Sequence, residues 1–317
     1  MEAGTYITQW FSTPEIGVID ATKKTHTVLL DQALKKPDSK DPMDRETLYN
    51  RIDRVELPTI PAVLNRLVEI TGSDNDASLE EVARIVNSDP ALTARVLRLI
   101  NSVVYGFPSR ILSVNHACVL LGMDTVRGIV LGVSVFEIME KAMVGLWRHS
   151  LFTATLSRAV GDIKGIRNSE QLFTAGLLHD LGKAVLALQV PKLYIPLLAD
   201  AAVKDIEISE LEKAALGVTH AHIGGRVARQ WKFPTELVEL IAYHHEPNKA
   251  REFPFHTSIV HFADVLARQH KNLIGDCHHL PRLYHSAREI LSLSTQDEEK
   301  IIGRLSDIDR DVEAFEL

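Results

Sequence analysis

Seven histidines and aspartates follow one order along the chain, each within or at the end of an apolar segment with helical periodicity. They are His149, His179, Asp180, His220, His244, His245 and Asp264. A carboxylate among apolar side chains is costly to bury without a metal or a hydrogen-bond donor. The pattern therefore favours a fold in which several helices bring these groups together. Imidazole and carboxylate bind Fe, Mn, Zn or Ni, and a carboxylate between two groups of ligands can bridge two ions.

The remaining sequence predicts an all-α protein, because apolar residues recur with a period of 3.6 and strand-like alternation is nearly absent. The segment 78–81 has the pattern of a capping box, and Asp89-Pro90 has the pattern of a helix start. Gly122 predicts a helix end, with Asp124 capping a new helix over 125–139.

Four parts are predicted along the chain. Residues 1–45 form a partly ordered N-terminal extension, because a polar segment broken by prolines follows a short apolar one. Residues 46–145 form a helical N-terminal half, and residues 146–275 form the helical half that carries the metal-type residues. Residues 276–317 form a C-terminal helical segment.

Composition limits the function classes. The chain of 317 residues is 45% hydrophobic and 24% charged, which is typical of a globular protein, and it carries a net charge of -7 without a long basic run. Nucleic acid is therefore an unlikely partner. Two cysteines, no apolar run of membrane-spanning length and no secretory signal pattern lead us to expect a cytoplasmic protein without a membrane segment.

The His179-Asp180 pair ends an apolar helical segment and is followed by Gly182 and Lys183. We expect one helix to deliver both ligands, and Gly182 to allow another backbone to approach closely. Lys183 lies one turn after His179, where its ammonium group could face a bound phosphate. Taken alone, the pair could equally cap the end of a helix.

Purely structural interpretations also exist for His149, for His244-His245 and for Asp264. His149 could be a hydrogen-bonded core histidine, and His244-His245 could complement a helix dipole. Asp264 lies among apolar residues and needs a partner, for which His261 is one option. These alternatives weaken when the residues are considered jointly, because they come from separate apolar segments.

The order H…HD…H…HH…D resembles the HD superfamily of metal-dependent phosphohydrolases. Within it, the chain looks like the HDOD group, which is related to the HD-GYP cyclic-dinucleotide phosphodiesterases. The matching segments are LPTIP at 57–61, SDPAL at 88–92, LINS at 99–102, YG at 105–106, Ile111, ACVLLG at 117–122, WRHS at 147–150, GLLHDLGK at 176–183 and THAHIG at 219–224. The resemblance implies an all-α, multi-helix HD-type bundle.

The resemblance also implies two divalent metal ions, Fe, Mn, Zn or Ni. One ion would take His149, His179, Asp180 and Asp264, and the other would take Asp180, His220, His244 and His245. Asp180 would bridge the ions, and Lys183 would neutralise charge on a phosphate oxygen, which would make these two the catalytic residues. The Gly-Tyr-Pro signature of the phosphodiesterases is absent, because IGGRV follows at 223–227.

Several functions are compatible with this sequence. The first is an HDOD-type signalling or regulatory protein that retains the dinuclear site and binds a protein partner through its N-terminal half. The alternative is a metal-dependent phosphodiesterase or phosphohydrolase acting on a nucleotide or cyclic dinucleotide, with a small phosphate-containing ligand in place of a protein partner. A di-iron oxygenase and a metal-free scaffold are further options.

Overall fold

The prediction of an all-α fold is confirmed. The computed structural model describes residues 78–271 and 285–316, apart from positions 103, 104, 106, 108, 144, 168 and 205, together with Arg66. Within these ranges the chain forms α-helices, one 3-10 turn and no strand. The N-terminal extension at 1–45 and the LPTIP segment lie outside the described residues.

The helices are numbered here in chain order. The first five are α1 Leu79–Asn87, α2 Pro90–Ile100, α3 Val114–Leu121, α4 Met123–Ser134 and α5 Phe136–Ala142. The central ones are α6 Leu146–Ile163, α7 Glu170–Leu178, α8 Leu181–Gln189, α9 Pro191–Lys204 and α10 Ile208–Leu216. The last are α11 His220–Gln230, α12 Thr235–Tyr243, the 3-10 turn Pro247–Lys249, α13 Pro254–Lys271, α14 His285–Leu291 and α15 Thr295–Glu316.

The helix starts predicted from local capping patterns are confirmed. Ser78 and Glu81 form the reciprocal capping box before α1. Asp89 accepts hydrogen bonds from two backbone N–H groups at the start of α2. Gly122 ends α3 with a φ of 86°, a left-handed conformation that favours glycine.

The predicted helix over 125–139 is wrong in two respects. Helix α4 begins at Met123 with Gly122 at its N-cap, so Asp124 lies inside the first turn instead of at the cap. The helix also ends at Ser134, and Val135 separates it from α5. The apolar run continues through this break, which is why periodicity alone did not show it.

Helix α6 lies at the centre of the packing. It contacts α7, α13 and α15, while α11 packs between α8 and α12. Nearly all of α6 is buried, including the large side chains Trp147 and Phe152. One hydrophobic core runs from Val82 on α1 to Val312 on α15. The helices around α6 and the helices around α11 therefore share a single core. The metal-type residues lie on or beside helices of both groups.

Cys118 is a free, buried cysteine. No helix in the described part of the chain is both long enough and apolar enough to cross a membrane.

The predicted close approach at Gly182 is confirmed. A Cβ atom on Gly182 would lie 1.9 Å from the carbonyl oxygen of His220 and 2.8 Å from the backbone nitrogen of Gly224. Both neighbouring atoms belong to the backbone of α11, so no side-chain rotation could make room. Glycine at this position therefore lets α8 and α11 touch directly.

We predict that Gly182→Ala lowers the free energy of unfolding by about 1–3 kcal/mol, because the methyl group must push α8 away from α11. The measurement is urea-induced unfolding followed by circular dichroism. Gly303→Ala on α15 is the matched control, since a Cβ there meets nothing within 4 Å. Alanine in that exposed helix should stabilise by about 0.5–1 kcal/mol. Equal stability of Gly182→Ala and the native protein would contradict the prediction.

Candidate metal centre

His179 and Asp180 form a corner between two helices. The expectation that one helix delivers both is wrong, because α7 ends at Leu178 and α8 begins at Leu181. Asp180 leaves helical geometry, with φ -94° and ψ 12°. The corner turns both side chains to the same side, and His179 Nε2 lies 3.3 Å from Asp180 Oδ2. Adjacent residues of a regular helix would diverge by about 100°.

The other ligand-type residues come from four more helices. His149 lies in α6, Asp264 lies in α13, and His220 is the first residue of α11, where Thr219 caps the helix as predicted. His244 and His245 follow the end of α12. Six of the seven predicted side chains are buried, and His245 is the partly exposed one.

The seven predicted residues meet in one cluster with two outer triads. Ligand atoms of His149, His179 and Asp264 lie within 4.8 Å of one another, as do those of His220, His244 and His245. A third overlapping group, His179, Asp180 and His244, joins the triads. These triads have the composition of the two half-sites that the family resemblance implies, without their shared carboxylate.

The Asp180 carboxylate faces both triads. Its Oδ2 lies 3.3 Å from His179 Nε2 and 3.6 Å from His149 Nε2. Its Oδ1 lies 3.2 Å from His220 Nε2 and 3.9 Å from His244 Nε2. One oxygen therefore faces each group, which is the arrangement that a bridging carboxylate requires.

Hydrogen bonds to Nδ1 orient three of the imidazole rings. His179 Nδ1 lies 2.7 Å from the Gly176 carbonyl oxygen, and His244 Nδ1 lies 2.8 Å from that of Ile241. His220 Nδ1 lies 2.7 Å from the Glu212 carboxylate. Because carbonyl and carboxylate oxygens only accept, each Nδ1 carries the proton and donates it. Whenever such a ring is neutral, its unprotonated Nε2 faces into the cluster, as it does in a metal-ligating histidine.

The centre of the cluster contains polar atoms without hydrogen bonds. Three of these atoms are the two carboxylate oxygens of Asp180 and the Nε2 of His244. None of the three has a hydrogen bond of acceptable geometry within the described part of the chain. The Lys183 ammonium nitrogen does lie 3.0 Å from Asp180 Oδ2, and Lys183 is fully buried. Buried polar atoms that lack hydrogen bonds are costly, and a metal cation would satisfy them. The residues present therefore fit a metal ion.

The histidines of the cluster differ in their pKa values, and therefore in their charge. Burial lowers the pKa of His179, but the Asp180 and Asp264 carboxylates outweigh burial and raise it to about 9. Burial and the neighbouring imidazoles hold the pKa of His244 and of His245 well below the usual value. Burial raises the pKa of Asp180, but His179 and Lys183 outweigh it, so the group stays ionised. A metal ion would take the place of the proton on His179.

Sequence analysis missed Glu212, a buried carboxylate beneath the cluster. Glu212 lies on α10 and accepts hydrogen bonds from the backbone N–H of His220 at 2.7 Å and from the Tyr194 hydroxyl at 2.6 Å. It also accepts from His220 Nδ1, as described above. A signal was present, since Ile208, Glu212 and Leu216 recur every four residues and are the buried positions of α10.

Sequence analysis also missed Arg268, which pairs with Asp264. Its Nε donates to Asp264 Oδ1 at 2.9 Å, and its Nη2 donates to Oδ2 at 2.6 Å. The signal is the spacing of four residues on α13, which places an aspartate and an arginine on one face. His261, the partner suggested for Asp264, instead lies 2.7 Å from the His244 carbonyl oxygen through Nδ1.

We predict that Glu212→Gln weakens Zn²⁺ binding about 10- to 100-fold, the usual cost of losing a carboxylate behind a ligating histidine. A glutamine amide cannot accept at both oxygen positions, so His220 loses its fixed orientation. The measurement is Zn²⁺ affinity by competition with a chromogenic chelator. Tyr194→Phe is the control, because it leaves both Glu212 contacts to His220 intact and should change affinity much less. Native affinity in Glu212→Gln would contradict this role.

Comparisons with known proteins agree with the fold. The family model of the HDOD domain matches residues 57–247. An uncharacterized protein of Treponema pallidum is 28% identical over 232 residues, which are 70% of this chain and 44% of that protein. The chain thus spans less than half the length of this relative.

Two solved structures match most of the chain. An HDOD domain protein of unknown function from Geobacter sulfurreducens has a TM-score of 0.70 at 23% identity, covering 85% of this chain and 97% of its own. A proposed phosphohydrolase of Shewanella amazonensis has a TM-score of 0.67 at 23% identity, and the match covers 84% of this chain and 96% of the Shewanella chain. At these identities the structures establish the fold alone. The match to the HDOD family model, over more than half of its length, shows that this chain belongs to the HDOD family.

Proposed function

We propose that this chain is a regulatory HDOD protein whose helical core holds a dinuclear metal centre. The observation that supports the proposal is the position of the Asp180 carboxylate, with one oxygen toward each triad. The proposed ligands of the first ion are His149, His179 and Asp264, and those of the second are His220, His244 and His245. Asp180 is the proposed bridge between them.

The donor set supports two ions of the Fe, Mn, Zn or Ni class. Imidazole nitrogens with few carboxylates suit these metals, whereas Mg²⁺ and Ca²⁺ prefer oxygen ligands. When bound, such a pair supplies Lewis acidity and an activated water. The protein supplies fixed imidazole orientations through Gly176, Ile241 and Glu212. It also buries six of the seven proposed ligands.

The surface of the N-terminal half supports a regulatory role. Leu112, Val119 and Leu120 are large apolar residues that are exposed on α3 and on the segment before it. A patch of exposed apolar residues is typical of protein interaction sites, and these three residues are candidates for such a patch. The centre itself is nearly closed, since six of the seven proposed ligands are buried. We therefore propose that a protein partner binds the N-terminal half.

Metal-dependent phosphoester hydrolysis is the second candidate function. Lys183 favours it, because a fully buried ammonium 3.0 Å from the proposed bridge is not needed for metal binding. Such a cation can stabilise negative charge that develops on a phosphoryl oxygen. The Shewanella protein with the same fold is a proposed phosphohydrolase.

We predict that the native protein, purified without chelator, holds about two metal ions per chain, as paired sites do. Asp180→Asn should reduce the content sharply, because the amide cannot bridge two cations. The measurement is plasma mass spectrometry alongside circular dichroism. Asp162→Asn, which removes an exposed carboxylate of α6, is the control and should keep native content. A folded native protein without metal would refute the metal centre.

The second candidate makes a separate prediction about turnover. If the protein is a hydrolase, the metal-loaded form cleaves a phosphodiester such as bis(p-nitrophenyl) phosphate or a cyclic dinucleotide. Lys183→Met should then lower kcat about 10²- to 10³-fold, the usual effect of losing one charge-stabilising group, while metal content is retained. No product from a broad phosphoester panel, with about two ions loaded, would exclude hydrolysis and leave the regulatory proposal standing.

A further inference from the structure

Solvent reaches the cluster on one side, at three residues. The exposed fractions of the side chains are 11% for His245, 10% for Arg268 and 26% for Glu207. The other six metal-type residues are almost completely buried. A small molecule that approaches the centre from this side therefore meets His245, Arg268 and Glu207 first.

The guanidinium of Arg268 joins the buried Asp264 to the partly exposed Glu207. Two of its nitrogens hold Asp264, at 2.9 and 2.6 Å. The third nitrogen, Nη1, lies 3.5 Å from Glu207 Oε1. The same Glu207 oxygen lies 4.0 Å from His245 Nδ1. A single carboxylate oxygen of Glu207 therefore stands between a cation and a proposed metal ligand.

Glu207 has no local role that explains this position. It is the N-cap residue of α10, where a short polar side chain would normally accept from the first backbone N–H groups. Its side chain makes no capping hydrogen bond. The side chain instead reaches toward Arg268 on α13. Glutamate is also a poor capping residue, so helix formation does not require it here.

We propose that Arg268 is the residue that receives the anionic group of a phosphate-bearing ligand at the mouth of the metal centre. The Glu207 carboxylate lies next to the same guanidinium and would act as an internal competitor. Arginine suits this task, because its guanidinium offers several donors in one plane and can bind phosphate without giving up Asp264. The inference deepens the proposed function by naming the ligand class and the residue that recognises it.

A phosphate group would replace two weak contacts of Glu207 with stronger ones. Contacts of 3.5 and 4.0 Å are longer than the charge-assisted hydrogen bonds of about 2.7–2.9 Å that a well-seated oxyanion makes. The Glu207 carboxylate, which is partly exposed, can be rehydrated when it leaves. Displacement of Glu207 therefore costs little.

The test is titration of inorganic phosphate into the full-length protein by isothermal calorimetry. Glu207→Gln should bind phosphate about fivefold more tightly, the scale of a partly exposed ion pair. Glu210→Gln is the matched control, because it removes the same charge from an exposed position of the same helix. It should change affinity by less than about twofold.

Arg268→Gln should abolish detectable phosphate binding, with folding checked by circular dichroism. If Arg268→Gln fails to fold because Asp264 is left unpaired, the comparison of Glu207→Gln with Glu210→Gln still decides. Equal phosphate affinity in those two variants would overturn the proposal. Acetate is titrated in parallel, and tighter binding of acetate than of phosphate to Glu207→Gln would also overturn it.

Each titration is carried out on metal-loaded and on chelator-treated protein, with the metal content measured. A failure of the metal proposal appears as absent metal in the untreated protein. A failure of the Glu207 proposal appears as equal affinities of Glu207→Gln and Glu210→Gln in both preparations. The two proposals can therefore fail separately.

Discussion

The burial of the Asp180 carboxylate is the constraint on which the rest of the centre depends. The group is fully buried, and neither oxygen receives a hydrogen bond of acceptable geometry within the described residues. An ionised carboxylate in such a place needs cationic neighbours to offset the loss of hydration. His179 and Lys183 lie 3.3 and 3.0 Å away, and they hold the pKa of Asp180 well below its usual value despite burial. The buried carboxylate therefore needs the imidazoles around it even before a metal is considered. Six helices end or pass near Asp180 to bring these groups together.

Close backbone contacts make this convergence sterically feasible. Gly182 lets α8 touch the start of α11, which places His220 next to the His179-Asp180 corner. Gly176 has the same role one helix earlier, because a Cβ there would lie 2.7 Å from the Cα of Ala154 on α6. The imidazole side chain is short, so a helix separated by an additional methyl group could not bring Nε2 within 3–4 Å of Asp180. The packing of the helices and the geometry of the cluster therefore depend on the same two glycines.

Sequence analysis succeeded where a structural feature is encoded by neighbouring residues. The caps formed by Ser78, Asp89 and Thr219 are confirmed, since each is a side chain that bonds to its own helix start. The break at Val135 was missed because the apolar rhythm continues through it. The approach of Glu212 to His220 and of Glu207 to Arg268 depends on how helices pack, which no local pattern records. The set of seven residues could be named from their order and apolar surroundings, whereas the contacts behind them needed the tertiary structure.

Helix α10 carries residues that contact two different parts of the cluster. Glu207 at the N-cap of α10 faces Arg268, and Glu212, five residues later, holds both Nδ1 and the backbone N–H of His220. A ligand that displaced Glu207 would break its contact with Arg268, while Glu212 would continue to hold His220, a proposed metal ligand. A signalling protein needs an element whose two arrangements a ligand can bias. Helix α10 would meet the geometric part of that requirement, because a shift of these nine residues would change the contacts of Glu207 and of His220 together.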